Sequence, residues 1–499
     1  MDVAKRDNVF RLCGAFAAVS ILMAVPGSAS ATDRDELQSQ IQDISSSSPA
    51  TTVAVYVIDA TTSEVLTNLR GELPVQPASC NKLRTTAAAM SLLGEDFRFH
   101  TRVGYRGTID AHTRILKGDL VVTGGGDPTI SGRFAKNKRD VTAIFREWIK
   151  QLKSKVDKID GNIVADDSLF DDEYFHPAWY GAERAEWYEA EVSALAFNDN
   201  CVDISWSSKG KLPGDLAAFR LNPETKYVQF SNEVKVAAKG RPVERYYKRG
   251  ETDNKIAAVG TLGYDSAKDD SAAVHDGALY FATVFCETAT SEGLKISGKP
   301  THRRGAAADN GVTQLIDHPS PTLSEIIRVI DLNSQNFYAE CVCKLLGKER
   351  GAAGSFAGGA DVVEKFMRDN AIYNVGQEMV DGSGLSSKNR TTARQLVETI
   401  RFMDKGPHHE AWRAALPLGG TRGSLKSRFQ ETSETRALAP RIYGKTGLIG
   451  GVRSLAGIVT DAAGREMYYA IVLNGLDEHR PEQGMAQIDR VALLLADLQ

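Results

Sequence analysis

The chain is poor in cysteine, has no excess of positive charge and, past residue 25, has no long apolar run. Each lack excludes something. Six cysteines, none in a C-x-x-C pair, make neither a disulfide framework nor a thiolate zinc site. A formal net charge of −4 gives no basic field to draw nucleic acid or an anionic surface. No later run approaches the ~20 apolar residues of a spanning helix, so no integral membrane anchor is expected there. None of the nine histidines forms an H-E-x-x-H pair, and no metal or other cofactor is expected. What the chain does have is 42% hydrophobic and 25% charged residues, enough to bury a large core. At roughly 150 residues per domain, its length predicts two to four domains.

Lys5, Arg6 and Arg11 precede the apolar stretch Leu12 to Val25, and Ala29-Ser30-Ala31 supplies small residues at a cleavage-site spacing. Residues 1–31 therefore read as a secretory signal, and the remainder as an exported, periplasmic or wall-associated protein. Removing that segment removes Cys13 and leaves Cys80, Cys201, Cys286, Cys341 and Cys343. Five thiols cannot all pair. They are read as small buried hydrophobes, with a Cys201 to Cys286 bridge left open.

Leu37, Ile41 and Ile44 fall at helical spacing, and Val53, Val55 and Val57 alternate as in a half-buried strand. A turn at Ala60 to Ser63 leads to a second extended run near Val65, and a helix starts at or near Ser79. From about Val103 to Thr301 short apolar runs alternate with Gly and Asp, with one amphipathic helix at Phe145, Trp148, Ile149 and Leu152. Helical periodicity returns at Leu323 to Ile330, and the tail reads as two strands, Val452 to Val459 and Met467 to Leu473, then a helix from Glu482. The pattern predicts an α+β fold whose terminal segments share one antiparallel sheet.

Three short motifs carry the chemistry: Ser79-Cys80-Asn81-Lys82, Ser334-Gln335-Asn336 and Lys445-Thr446-Gly447. Singly each is weak, since a Ser-x-x-Lys recurs at Ser208 to Lys211 and Ser387-Lys388-Asn389 imitates the second motif. Order and context single out the chosen set, because the first opens an apolar helix, the second joins two helices and the third precedes a strand pair. Residues i and i+3 share a helix face, so Lys82 can reach the Ser79 hydroxyl and, if neutral, take its proton. Desolvation and a second cation at Lys445 favour the neutral amine. Ser334 is placed to relay a proton to a leaving amine, Asn336 to bind a peptide group and Lys445 to draw a free carboxylate. Gly447 leaves room for an extended peptide along the sheet edge.

Rival readings fail on their residues. A phosphate loop at Gly444-Lys445-Thr446 needs glycine where Ala439 stands. Gly124 to Gly126 runs into Asp127-Pro128 and reads as a turn. Lys239 to Arg249, with Tyr246 and Tyr247, reads as a solvated hairpin.

Taken together, Pro77-Ala78-Ser79 with Lys82, Asn333-Ser334-Gln335-Asn336 followed by Ala339-Glu340, and Gly444-Lys445-Thr446-Gly447 with Leu455-Ala456-Gly457 resemble the active-site-serine penicillin-recognising enzymes. Within them, the resemblance is to the D-Ala-D-Ala carboxypeptidases of the penicillin-binding protein 4 type, peptidase family S13. Gly124 to Thr129, Ser193 to Leu195, Asn198 to Asn200 and Asp381 to Ser386 are also typical of that family. About 255 residues separate Ser79 from Ser334, a domain-sized surplus over a compact β-lactamase-like domain. The resemblance thus implies a discontinuous transpeptidase-like domain, residues 32–103 and 302–499, holding an antiparallel sheet flanked by helices. Residues 104–301 would be a large strand-rich insertion. It further implies peptidoglycan stem peptides as substrates, β-lactams as acylating inhibitors, Ser79 as nucleophile, Lys82 as base and Thr446, Gly447 and the Leu448 backbone N–H as substrate contacts. Leu448 departs from the family, which commonly has a hydroxyl residue there, so a side-chain contact to the substrate carboxylate is lost. A catalytically weak wall-binding protein of the same fold is the alternative, and a β-lactamase or esterase the lesser one.

Overall fold

The computed structural model describes residues 31–179, 184–304, 311–373, 375–477 and 481–499; the expected signal segment, Ala31 excepted, lies outside them. Alternating apolar side chains tie the two ends of the chain into one sheet. Thr52–Asp59 pairs antiparallel with Glu466–Asn474, setting Val55 opposite Ile471 and Val57 opposite Tyr469. The strand order is Ile442–Ile449, Val452–Thr460, Glu466–Asn474, Thr52–Asp59 and Val65–Leu69, antiparallel throughout.

The first strand departs from the half-buried pattern that its valines predict, because it is covered on both sides. Val53, Val55 and Val57 pack with Leu37 and Ile41 of the opening helix, Ala31–Ser46, and with Ile488, Val491 and Leu495 of the closing helix, Pro481–Ala496. Ala54, Tyr56 and Ile58 face the opposite way, into a helical layer that includes Leu83, Met90, Ile326, Ile330, Phe337, Leu396 and Ile400. Each such side chain contributes roughly 1.5–3 kcal/mol on burial. The sheet is thereby a middle layer: the helix Ala393–Lys405 rests on its inner face, and Lys82–Leu93, Leu323–Asn333 and Asn336–Arg350 pack together in the helical layer on that side.

The segment between the first two motifs has its own core, in which Phe145 stacks on Phe197 at 4.6 Å and meets Phe281 edge-on at 4.8 Å. Its largest sheet runs Lys295–Ile296, Lys158–Asp160, Ile115–Thr123, His100–Ile109 and Thr313–Pro319, with Ile163–Asp166 and Pro300–Arg303 alongside. His100–Ile109 and Thr313–Pro319 pair antiparallel, so this sheet takes in residues on both sides of the boundaries expected at 103/104 and 301/302. Two three-stranded sheets complete it. Arg245–Lys248 pairs antiparallel with Lys255–Leu262, placing the second half of the expected basic hairpin on a strand edge.

Two sequence expectations need correction here. The segment holds a second long helix, Gly277–Ser291, beside the expected one at Ala143–Leu152. It escaped the periodicity test because it is apolar on nearly every side, with Tyr280, Phe281, Val284 and Phe285 all buried. No Cys201 to Cys286 bridge forms, since all five described cysteines are free. Cys201 lies in the core of the helical layer, whereas Cys286 packs against the core of the inserted segment.

Candidate active site

Ser79 sits on a single 3₁₀ turn, Ala78–Asn81, that runs directly into the helix Lys82–Leu93. At three residues per turn, positions i and i+3 eclipse, which brings Lys82 Nζ to 2.9 Å from Ser79 Oγ. The preceding Ala78 has φ of +48°, a left-handed conformation costly for a residue with a Cβ. That strain is held by the surroundings: the Ser454 hydroxyl donates to the Pro77 carbonyl at 2.6 Å.

The second motif forms the corner between two helices. Ser334 ends Leu323–Asn333 in the left-handed region, φ +57°, and Asn336 opens the next helix. Asn336 Oδ1 lies 2.6 Å from Lys82 Nζ, while its amide nitrogen donates to the Tyr188 carbonyl at 2.9 Å. The third motif lies on the edge strand Ile442–Ile449, from which Lys445 Nζ reaches Ser334 Oγ at 2.9 Å. Thr446 Oγ1 is 2.7 Å from Ser424 Oγ. A cavity of about 550 Å³ opens over these groups and is lined by Ser79, Ser334, Asn336, Thr446 and Leu448, among others. Lys82, Lys445 and Gly447 are buried and are not among its lining residues.

All eight residues expected from the sequence therefore fall in one region, with Lys82 linked to Ser79 and Asn336 and Lys445 linked to Ser334. Burial brings the Lys82 amine down to about 7, and the charge of Lys445 pushes it the same way. Burial also lowers Lys445. Cys80, next to Ser79, is fully buried and its thiol donates to the Lys445 carbonyl at 3.1 Å. Burial pushes its pKa up, so it stays a thiol and faces away from the attacking role.

The structure gives roles to Glu340, Asp381 and Ser383, which the sequence marked only as family-typical, and adds Asp331, which no motif reveals. A third acceptor for Lys82 is the Ser383 carbonyl, at 2.7 Å. Its loop is pinned by Glu340, whose carboxyl oxygens accept from Gly382 N and Ser383 N at 2.9 and 2.7 Å. Asp381 accepts from Gly384 N, Asn389 Nδ2 and Trp179 Nε1. Asp331, fully buried on the helix before Ser334, is raised to about 7 by burial. The nearby charge of Lys445, the Thr86 side chain and the charge of Lys82 offset part of that rise.

The chain as a whole is similar to known proteins. Over 462 residues, 89% of this chain and 81% of the relative, the chain is 30% identical to a D-alanyl-D-alanine carboxypeptidase of Actinomadura sp. (strain R39). The fold matches the crystal structure of penicillin binding protein 4 from Haemophilus influenzae with a TM-score of 0.75 at 21% identity, covering 90% of this chain and 97% of that one. A second structure of that protein, complexed with a beta-lactam, matches with a TM-score of 0.72 at 20% identity, covering 92% and 100%. The description "D-Ala-D-Ala carboxypeptidase 3 (S13) family" fits residues 34–494. With that span and that identity, the chain belongs to the S13 family of D-Ala-D-Ala carboxypeptidases.

Proposed function

We propose that the protein is an exported serine peptidase that removes the terminal D-alanine from peptidoglycan stem peptides through an acyl-enzyme, and that β-lactams acylate the same serine. The observation that carries this reading is a buried lysine, with a pKa near 7, held 2.9 Å from a half-buried serine hydroxyl. A lysine poised to be neutral at working pH is what a serine nucleophile requires of its base.

In the first step Ser79 Oγ attacks the carbonyl carbon of the D-Ala-D-Ala bond while Lys82 Nζ accepts its proton. The oxyanion is stabilised by the backbone N–H groups of Ser79 and Leu448, near a 3₁₀-turn start that adds positive potential. Collapse breaks the C–N bond, and the proton passes through Ser334 to the departing D-alanine nitrogen. Lys445 draws the terminal carboxylate, and Asn336 holds the peptide along the sheet edge; the missing side chain of Gly447 instead makes room for Ser454 and the Pro77 carbonyl beneath the strand. Water, deprotonated by Lys82, then attacks the ester carbon and frees Ser79. The same acyl chemistry serves cross-bridges that end in a D-Ala to diamino-acid bond, so endopeptidase action falls within the proposal.

An N-acylated peptide ending in D-Ala-D-Ala, with free D-alanine as the readout, tests it. Time-dependent release by the native chain, and none by Ser79→Ala, is expected. Equal release by both proteins, or none by either, overturns the reading.

A further inference from the structure

The cavity over Ser79 does not stand alone. Trp187, 38% exposed, lines that cavity and two more, of about 740 and 610 Å³. Asn333 lines both the first and the larger second cavity, and Lys138, Asp203 and Ser271 line both the second and the third. A groove thus leads from the catalytic serine, past an exposed indole, onto the inserted segment.

Beneath its floor lie polar groups left incompletely bonded. Arg133 Nη2 pairs with Asp199 Oδ2 at 2.7 Å, and Gln335 Nε2 donates to the same oxygen at 2.9 Å. Gln335 Oε1, Asp199 Oδ1 and Arg133 Nε have no hydrogen-bond partner among the described residues, and Gln335 is only 6% exposed. Unpaired buried polar atoms are costly to keep. Asn198, Asp199 and Asn200 all have positive φ, between +51° and +57°, a conformation that Asn and Asp adopt more readily than other side-chain-bearing residues. Because Gln335 stands between Ser334 and Asn336, this floor is fastened directly to the catalytic corner.

The charges of the larger cavity are balanced, with Arg133, Lys138 and Arg328 against Asp199, Asp203 and Glu325. A strongly charged ligand gains little there. An open indole face next to amide, carboxylate and guanidinium groups suits a flat, uncharged ring rimmed by hydroxyl and amide groups. Building on the proposed peptidase reading, we infer that this groove binds the N-acetylated sugar chain to which the stem peptide is attached. The protein would then act on peptide still carried on glycan in preference to free peptide.

The test compares kcat/KM for D-alanine release from a disaccharide-pentapeptide and from the same pentapeptide without sugar, using the full chain. We expect at least about a tenfold preference for the sugar-bearing substrate, lost in Trp187→Ala, largely kept in Trp187→Phe and reduced in Arg328→Ala. Equal values in the native chain, a preference that survives Trp187→Ala, or a greater preference for sugar-free peptide dimers overturns the inference. If neither substrate releases D-alanine, the catalytic reading fails, and direct binding judges the groove separately. Saturable quenching of tryptophan fluorescence by the peptide-free disaccharide, absent in Trp187→Ala, supports it; no quenching, or quenching unchanged by that substitution, overturns it.

Discussion

Gly447 lies so close to Ser454 that a Cβ on it would run into the Ser454 hydroxyl. The same Cβ would stand 2.7 Å from the Pro77 carbonyl oxygen and 3.1 Å from Ala78 Cβ. The edge strand therefore presses directly on the turn that carries Ser79. Gly447→Ala should push the two apart and cut penicillin acylation by about 100-fold or more, the scale on which small misplacements act. Labelling kinetics check this; an unchanged rate would mean that the strand does not position the serine.

Lys82 sets the pH dependence. Its amine, lowered to about 7 chiefly by burial and then by Lys445, is protonated below that pH and cannot take the Ser79 proton. Acylation should accordingly fall on the acid side, approaching tenfold per pH unit well below 7, and level off above it. A rate measured from pH 5 to 9 that does not change through 7 would contradict this assignment.

Asp331 should act on stability with the opposite slope. Its carboxyl is raised to about 7 by burial, so between about 4 and 7 the folded state holds a proton that the unfolded state releases. Stability from this group falls as pH rises through that window. Asp331→Asn, which keeps the volume but cannot ionise, should differ little at pH 4 and gain roughly 2–4 kcal/mol above pH 7, at about 1.36 kcal/mol for each tenfold difference in acidity between the folded and unfolded carboxyl. Denaturant unfolding at the two pH values reads it. The variant also removes a charge that raises the pKa of Lys82 and Lys445, so its acylation should persist to lower pH.

Leu448, 62% exposed at the cavity wall, offers no hydroxyl to a substrate carboxylate. Leu448→Thr should raise kcat/KM on peptides with a free terminal carboxylate by about tenfold, the worth of a hydrogen bond to a charged group at ~1.5 kcal/mol. The same substitution should do little for an amidated peptide, and an equal gain on both would remove the carboxylate explanation.

The site was more legible in the sequence than its frame. Ser79 and Lys82 were readable because one helical turn fixes their separation, whatever the rest of the chain does. The Ser383 carbonyl was not, because a backbone acceptor has no residue signature. Asp331 was not, because an isolated acid on an amphipathic helix reads as solvated until the fold buries it. In the frame, alternation exposed the shared terminal sheet, whereas Gly277–Ser291 hid by lacking a polar face. Thr313–Pro319 hid because its apolar positions do not alternate cleanly and a register shift between Gln314 and Ile316 interrupts its pairing.

The most direct test of the account is the mass of the intact protein after incubation with a penicillin, followed by peptide mapping. One covalent adduct per chain is expected, located at Ser79 and absent from Ser79→Ala. No adduct, an adduct on Cys80 or elsewhere, or equal labelling of the variant would contradict it.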